Sequence, residues 1–128
     1  MNLIVDSHTL IWAVDQPAQL GSAAASALQD PANDLLVSAA TVWELAIKVG
    51  LGKLTLTKPY REWMTQALAD LDAVVLPITV EYADLQAQLP MHHRDPFDRM
   101  LVAQASVEGI SIVSHDAALD VYGVSRIW

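Results

Sequence analysis

Cysteine is absent from this chain of 128 residues, so disulfides and thiolate metal sites are excluded and a reducing compartment fits. Positive charge is scarce as well. Seven lysines and arginines face fifteen aspartates and glutamates, a formal charge of −8. Phosphate binding normally leaves a basic footprint, so the global balance argues against a nucleic-acid protein and suits a basic partner. No apolar run approaches the roughly 18 to 20 residues that span a bilayer, and the opening MNLIVDSH has no basic leader. A soluble, cytoplasmic protein without a membrane role is expected. There is no G-x-G-x-x-G or Walker segment, which disfavours a nucleotide-binding domain. The four histidines, His8, His92, His93 and His115, have no zinc-like spacing.

What the chain has in abundance is apolar surface, with 53% hydrophobic residues. Its length fits one domain, residues 1–128, without repeats or linkers. The apolar excess leaves surface for a partner chain, and a homodimer is expected.

Short apolar strands alternate with helices. Leu3–Val5, Leu35–Val37, Val74–Ile78, Ile110–Val113 and Val124–Trp128 read as strands, with Pro77 marking a strand end or an edge. Helices are expected over Thr9–Val14, Ser22–Gln29, Ala39–Val49, Pro59 to about Ala69, Val80–Leu89, Asp95–Glu108 and, briefly, Asp116–Val121. Ser38 and Thr79 serve as N-caps, and Gly50, Gly52 and Gly109 as stops. This order implies a three-layer α/β/α sandwich with a mostly parallel central sheet. In such sheets a ligand sits beyond the carboxyl ends of the strands.

Four acids interrupt strongly apolar segments: Asp6 in IVDSHTLIW, Glu44 in VSAATVWELAIKVGLGKL, Asp98 in HHRDPFDRMLVAQA and Asp116 in IVSHDAALDVYGV. Each has an ordinary explanation. Asp6 and Asp116 can cap helices, Glu44 can pair with Lys48, and Asp98 can sit at a helix start behind the cap Asp95. An exposed i,i+4 pair is worth only about 0.3–0.5 kcal/mol, a weak reason for a carboxylate in so apolar a helix. Drawn inward together, four carboxylates repel one another unless protons or a cation neutralise them. For an all-oxygen set the simplest cation is Mg²⁺ or Mn²⁺, which points to metal-assisted phosphate chemistry.

Around them, Ser7 and Ser114 are small hydroxyls suited to a metal-held water, a phosphate oxygen or a backbone cap. His8 and His115 are candidates for the mouth of the site, whereas His92 and His93 read as a solvated loop. Lys48, Arg94 and Arg99 are candidates for backbone phosphates, with Lys48 also able to serve Glu44. Trp12, Trp43, Trp63 and Trp128 read as core or interface rather than as platforms for bases.

DSHTLIW, SAATVWELAIKVGLGKL, HRDPFDRMLVAQA and IVSHDAALDVYGV resemble the successive motifs of PIN-domain proteins, specifically the VapC-type toxin branch. The resemblance runs from Leu3 to Val124 in the family's order. It implies a PIN fold and a Mg²⁺- or Mn²⁺-dependent endoribonuclease acting on RNA, the toxin of a type II pair held in check by an antitoxin protein. The family's acidic positions fall on Asp6, Glu44, Asp98 and Asp116, and its small hydroxyl on Ser114. The products it implies carry 5′-phosphate and 3′-hydroxyl ends.

An aspartyl-phosphate enzyme built on Asp6 is the rival chemistry, but the second aspartate that a haloacid-dehalogenase opening needs is replaced by His8. A receiver-like site would need a late-strand lysine, and none follows Gly109. The non-enzyme alternative is a binding module whose acidic cleft docks a basic partner segment.

Overall fold

Five parallel strands form a single sheet in the order β3-β2-β1-β4-β5. The computed structural model describes all residues from 1 to 128. The strands are β1 (Asn2–Val5), β2 (Asp34–Ser38), β3 (Val74–Leu76), β4 (Ser111–Val113) and β5 (Arg126–Ile127). The helices are α1 (Ser7–Asp15), α2 (Ser22–Gln29), α3 (Ala39–Gly50), α4 (Tyr60–Asp70), α5 (Val80–Gln88) and α6 (Pro96–Glu108), with 3₁₀ turns at Pro17–Gln19 and Ala117–Tyr122.

Alternation along β1 sorts two cores. Leu3 and Val5 face one side of the sheet, where they meet Leu10 of α1, Ala24 of α2, Leu45 of α3 and Trp63 of α4. Ile4 faces the other, against Leu101, Val102 and Ala105 of α6 and Leu119. Both faces of the sheet are therefore covered by helices, as a parallel sheet requires. The expected three-layer sandwich is observed, and the sheet is wholly parallel.

Local chemistry explains most boundaries. Ser38 caps α3 by accepting the Ala40 N–H, Asp95 caps α6 ahead of Pro96, and Gly109 ends α6 with φ +65°. Pro77 ends β3, an edge strand. Two details sharpen the expectation. The short helix after Asp116 is a 3₁₀ helix of six residues, closed by Gly123 with φ +78°. Trp43 is 62% exposed, so of the four tryptophans only Trp63 is fully in the core. No helix is long and apolar enough to cross a membrane.

The C-terminal Trp128 lies across α2's entry. A Cβ placed on Gly21 would stand 2.7 Å from Trp128's carbonyl carbon and 2.7 Å from its Cδ1. Backbone cannot yield cheaply at that distance. Gly21→Ala is expected to cost about 1–3 kcal/mol through overpacking and to displace the indole. Thermal melting together with the near-UV circular dichroism of the tryptophans would show it, and an unchanged spectrum would refute it.

The chain runs outward through β1, β2 and β3, then returns to β4 beside β1. The strand order thus reverses between β1 and β4, where open α/β sheets place their ligands.

Candidate metal centre

The four acids singled out in the sequence converge on this edge. Asp6 follows the last residue of β1, and its N–H continues the ladder to Val113 O at 3.2 Å. Ser114 follows β4 and Asp116 lies two residues on. Glu44 comes from the second turn of α3, which starts at the end of β2, and Asp98 from the first turn of α6. Together with Asp95 they line one cleft of about 300 Å³, bordered by Ser7, His8, Trp12, Lys48 and His115. Five carboxylates face one lysine there.

Structural duty and exposure to the cleft turn out not to compete. Asp6 Oδ1 accepts the Thr9 N–H at 2.9 Å as the cap of α1, and its other oxygen is left for the cleft. Asp116 Oδ1 accepts the Ala118 N–H at 3.0 Å, while Oδ2 turns to His93. Glu44 Oε2 takes the Lys48 Nζ at 2.6 Å and Oε1 has no partner. Each backbone or ammonium contact fixes a rotamer and aims the second oxygen, as outer hydrogen bonds do for metal ligands. Asp95 behaves as a cap, its Oδ1 accepting from both Phe97 N and Asp98 N. Ser114 is fully buried and its Oγ accepts the Asp116 N–H at 3.0 Å, so it orients Asp116 through the backbone.

Electrostatics mark Asp98 as the strained member. Burial pushes its carboxyl from the usual range up to about 7, and the charges of Asp95, Glu44 and Asp6 push the same way against His93. The Lys48 pKa is raised as well, its ammonium held more firmly protonated by the hydrogen bond to Glu44.

His93 lies in a loop, as expected, but its ring is half-buried at the site rather than solvated. Its Nε2 lies 3.3 Å from Asp98 Oδ2 and 3.4 Å from Asp116 Oδ2. The Asp95 N–H donates to Nδ1 at 3.2 Å, which leaves the ring proton on Nε2, aimed at the two carboxylates. One ligand-type atom from each of His93, Asp98 and Asp116 falls within 4.8 Å of the others.

Arg99 is a second correction. It is buried at 5% exposure and points away from the cleft. Its two terminal nitrogens donate to Pro90 O, Gln86 O, Leu89 O and the Tyr122 hydroxyl, which leaves neither of them for a phosphate. Arg94 is exposed in the loop beside His93.

The donor set suits a hard divalent cation. Carboxylate oxygens dominate, no sulfur is present, and a cation would relieve the repulsion that Asp98 records.

Residues 3–124 match the family described as PIN domain. The chain is 30% identical over 118 residues to ribonuclease VapC22 of Mycobacterium tuberculosis, covering 91% of this chain and 88% of that relative. Among solved structures it resembles VapBC2 from Rickettsia felis bound to a promoter DNA fragment, with a TM-score of 0.75 at 11% identity. That match covers 98% of this chain and 97% of the other. It also resembles FitAcB from Neisseria gonorrhoeae, with a TM-score of 0.61 at 17% identity, over 97% of this chain and 95% of that one. At such identities the structural likeness speaks for the fold alone.

Proposed function

The chain belongs to the PIN-domain family, and from that membership we propose that it is a divalent-metal-dependent endoribonuclease, the toxin of a type II toxin–antitoxin pair. The observation that carries this reading is the convergence of Asp6, Glu44, Asp98 and Asp116 in one cleft at the strand-order reversal. The likeness to a ribonuclease at 30% identity supports the reaction class.

Asp6, Glu44, Asp98 and Asp116 would hold Mg²⁺ or Mn²⁺. When bound, such an ion offsets the charge of a phosphodiester and lowers the pKa of water for attack on phosphorus. The remaining work belongs to the chain. Thr9 N–H and Ala118 N–H hold Asp6 and Asp116 in their orientations. Lys48 pairs with buried Glu44 and fixes its orientation toward the cleft. Asp95 organises the first turn of α6, and through it Asp98. His93 is a positioning residue, since its Nε2–H ties Asp98 to Asp116 across the cleft.

The partner protein we propose is an antitoxin that inhibits by covering this cleft. A basic side chain entering among five carboxylates would compete directly with the cation.

Purified protein, freed of any co-purifying inhibitor, is expected to cleave a cellular RNA pool into discrete fragments with Mg²⁺ or Mn²⁺ and to stop in EDTA. Folded, metal-supplemented protein that leaves the RNA intact would refute the nuclease and favour a module that only binds.

A further inference from the structure

A second groove of about 370 Å³ adjoins the acidic cleft and shares Ser7, His8, Trp12 and Lys48 with it. It is far less acidic. Lys48 and Lys53 line it against a single acid, Asp15, whose carboxylate is already engaged by the Thr57 hydroxyl at 2.8 Å and the Trp63 indole N–H at 2.9 Å. Lys48 already serves Glu44, so Lys53 is the lysine this groove offers beside the candidate metal centre.

The wall between the two cavities is aromatic. Trp12 lies 5.6 Å from the His8 ring, 5.9 Å from His115 and 5.7 Å from Trp128, measured between centroids. Trp128 is in turn 5.2 Å from His115 and is wedged against Gly21. Tilted and edge-on contacts from three rings hold the Trp12 indole in place, so little side-chain freedom remains to be lost when a flat ligand stacks on it.

We infer that this groove is a subsite for the nucleotide next to the scissile phosphate, its base stacking on Trp12 and its outer phosphate meeting Lys53. The inference rests on the nuclease reading and specifies its substrate. An indole can stack only on a base that is unpaired and splayed, so the preferred RNA is single-stranded at the cut. A free lysine one nucleotide away gives the acidic protein the phosphate contact that its net charge lacks.

The test is the fluorescence anisotropy of a labelled single-stranded RNA decamer, with Mg²⁺, on Asp98→Asn protein so that binding is read without turnover. In that background Trp12→Ala is expected to weaken binding roughly 10-fold or more, and Trp12→Phe to restore most of it. Lys53→Glu, at an exposed position, is expected to weaken binding several-fold and to lower the salt dependence by about one phosphate contact or more. The same sequence as a duplex should bind more weakly. If Trp12→Ala fails to fold, Lys53→Glu and the quenching of tryptophan fluorescence by RNA decide. Unchanged RNA affinity in both folded variants overturns the subsite, including the case where they lose a partner protein instead, which would give the groove to a protein segment. Wild-type cleavage that persists alongside such a result leaves the nuclease standing. RNA that seats in the groove but is never cut leaves the subsite standing and removes the nuclease.

Discussion

Asp98→Asn is expected to make the metal-free protein more stable and unable to cleave RNA. Burial and the neighbouring carboxylates Asp95, Glu44 and Asp6 hold the Asp98 carboxyl at about 7, far above its ordinary 3.8. An acid with a raised folded pKa binds more protons folded than unfolded between those two values. The contribution of Asp98 is therefore neutral only well below its ordinary 3.8, where it is protonated in both states, and becomes a growing penalty from there up to about pH 7. A shift of that size corresponds to a ceiling of about 4 kcal/mol, and relaxation around a charge still partly in contact with water brings the expected gain to about 1–3 kcal/mol. For a domain of this length that is several degrees of melting temperature.

The gain should therefore shrink as the pH falls toward the ordinary 3.8, vanish below it, and be largest above pH 7, in EDTA. Adding Mg²⁺ should raise the melting temperature of the wild type and do little for the variant, because the repulsion that costs stability is what binds the cation. Activity should fall further than the roughly 100-fold that loss of an outer-shell partner can cost, since Asp98 is placed among the ligands themselves. A variant that melts lower than wild type at pH 7.5 without metal would show that Asp98 is not a strained charge. Retained metal-dependent cleavage would remove it from the site.

Much of this arrangement is legible in the sequence, for identifiable reasons. The α/β order follows from short apolar runs such as Leu3–Val5 and from punctuation by Ser38, Asp95-Pro96 and Gly109, all of which act locally. Asp6 and Asp116 fall beside one another because parallel strands put their carboxyl ends on one edge. The choice between cap and site role for these acids is not legible, because it depends on each carboxylate having two oxygens. Asp6 and Asp116 use one for the backbone and leave the other for the cleft.

His93 escapes a sequence reading because its partners lie on α6 and beyond β4. The one local signal is its place two residues before the cap Asp95, whose N–H it accepts. Arg99 misleads for the converse reason. An arginine beside Asp95 and Asp98 looks like a phosphate contact, yet its acceptors are carbonyls 9 to 13 residues upstream. For Trp43, read as core or interface, the structure removes the first: it sits on the outer side of α3, edge-on to Phe97 among aromatic rings. Helical periodicity gives the face of a residue only when the packing partners of its helix are known.

Arg99 supplies the second large effect. Its Nη2 closes the C-terminal end of α5 by donating to Gln86 O at 2.9 Å and Leu89 O at 3.2 Å. Its Nη1 donates to Pro90 O at 2.9 Å and to the Tyr122 hydroxyl at 3.3 Å, and that hydroxyl in turn accepts the His93 N–H. The guanidinium thus offsets the negative end of a helix and ties down the loop that delivers His93 to Asp98 and Asp116. Arg99→Ala would strip donors from several carbonyls at once, at a cost of about 2–4 kcal/mol. Arg99→Lys keeps the charge but not the planar fork, and should recover only part of that. Cleavage should decline with the loop's order, and Mg²⁺ should bind more weakly because Asp98 and Asp116 lose their shared histidine. A phosphate-contact role predicts the reverse pattern: an unchanged melting temperature and metal affinity, with weaker RNA binding and a shallower salt dependence. Thermal melts and RNA titrations of the same two variants separate the cases, and the engagement of both terminal nitrogens favours the first.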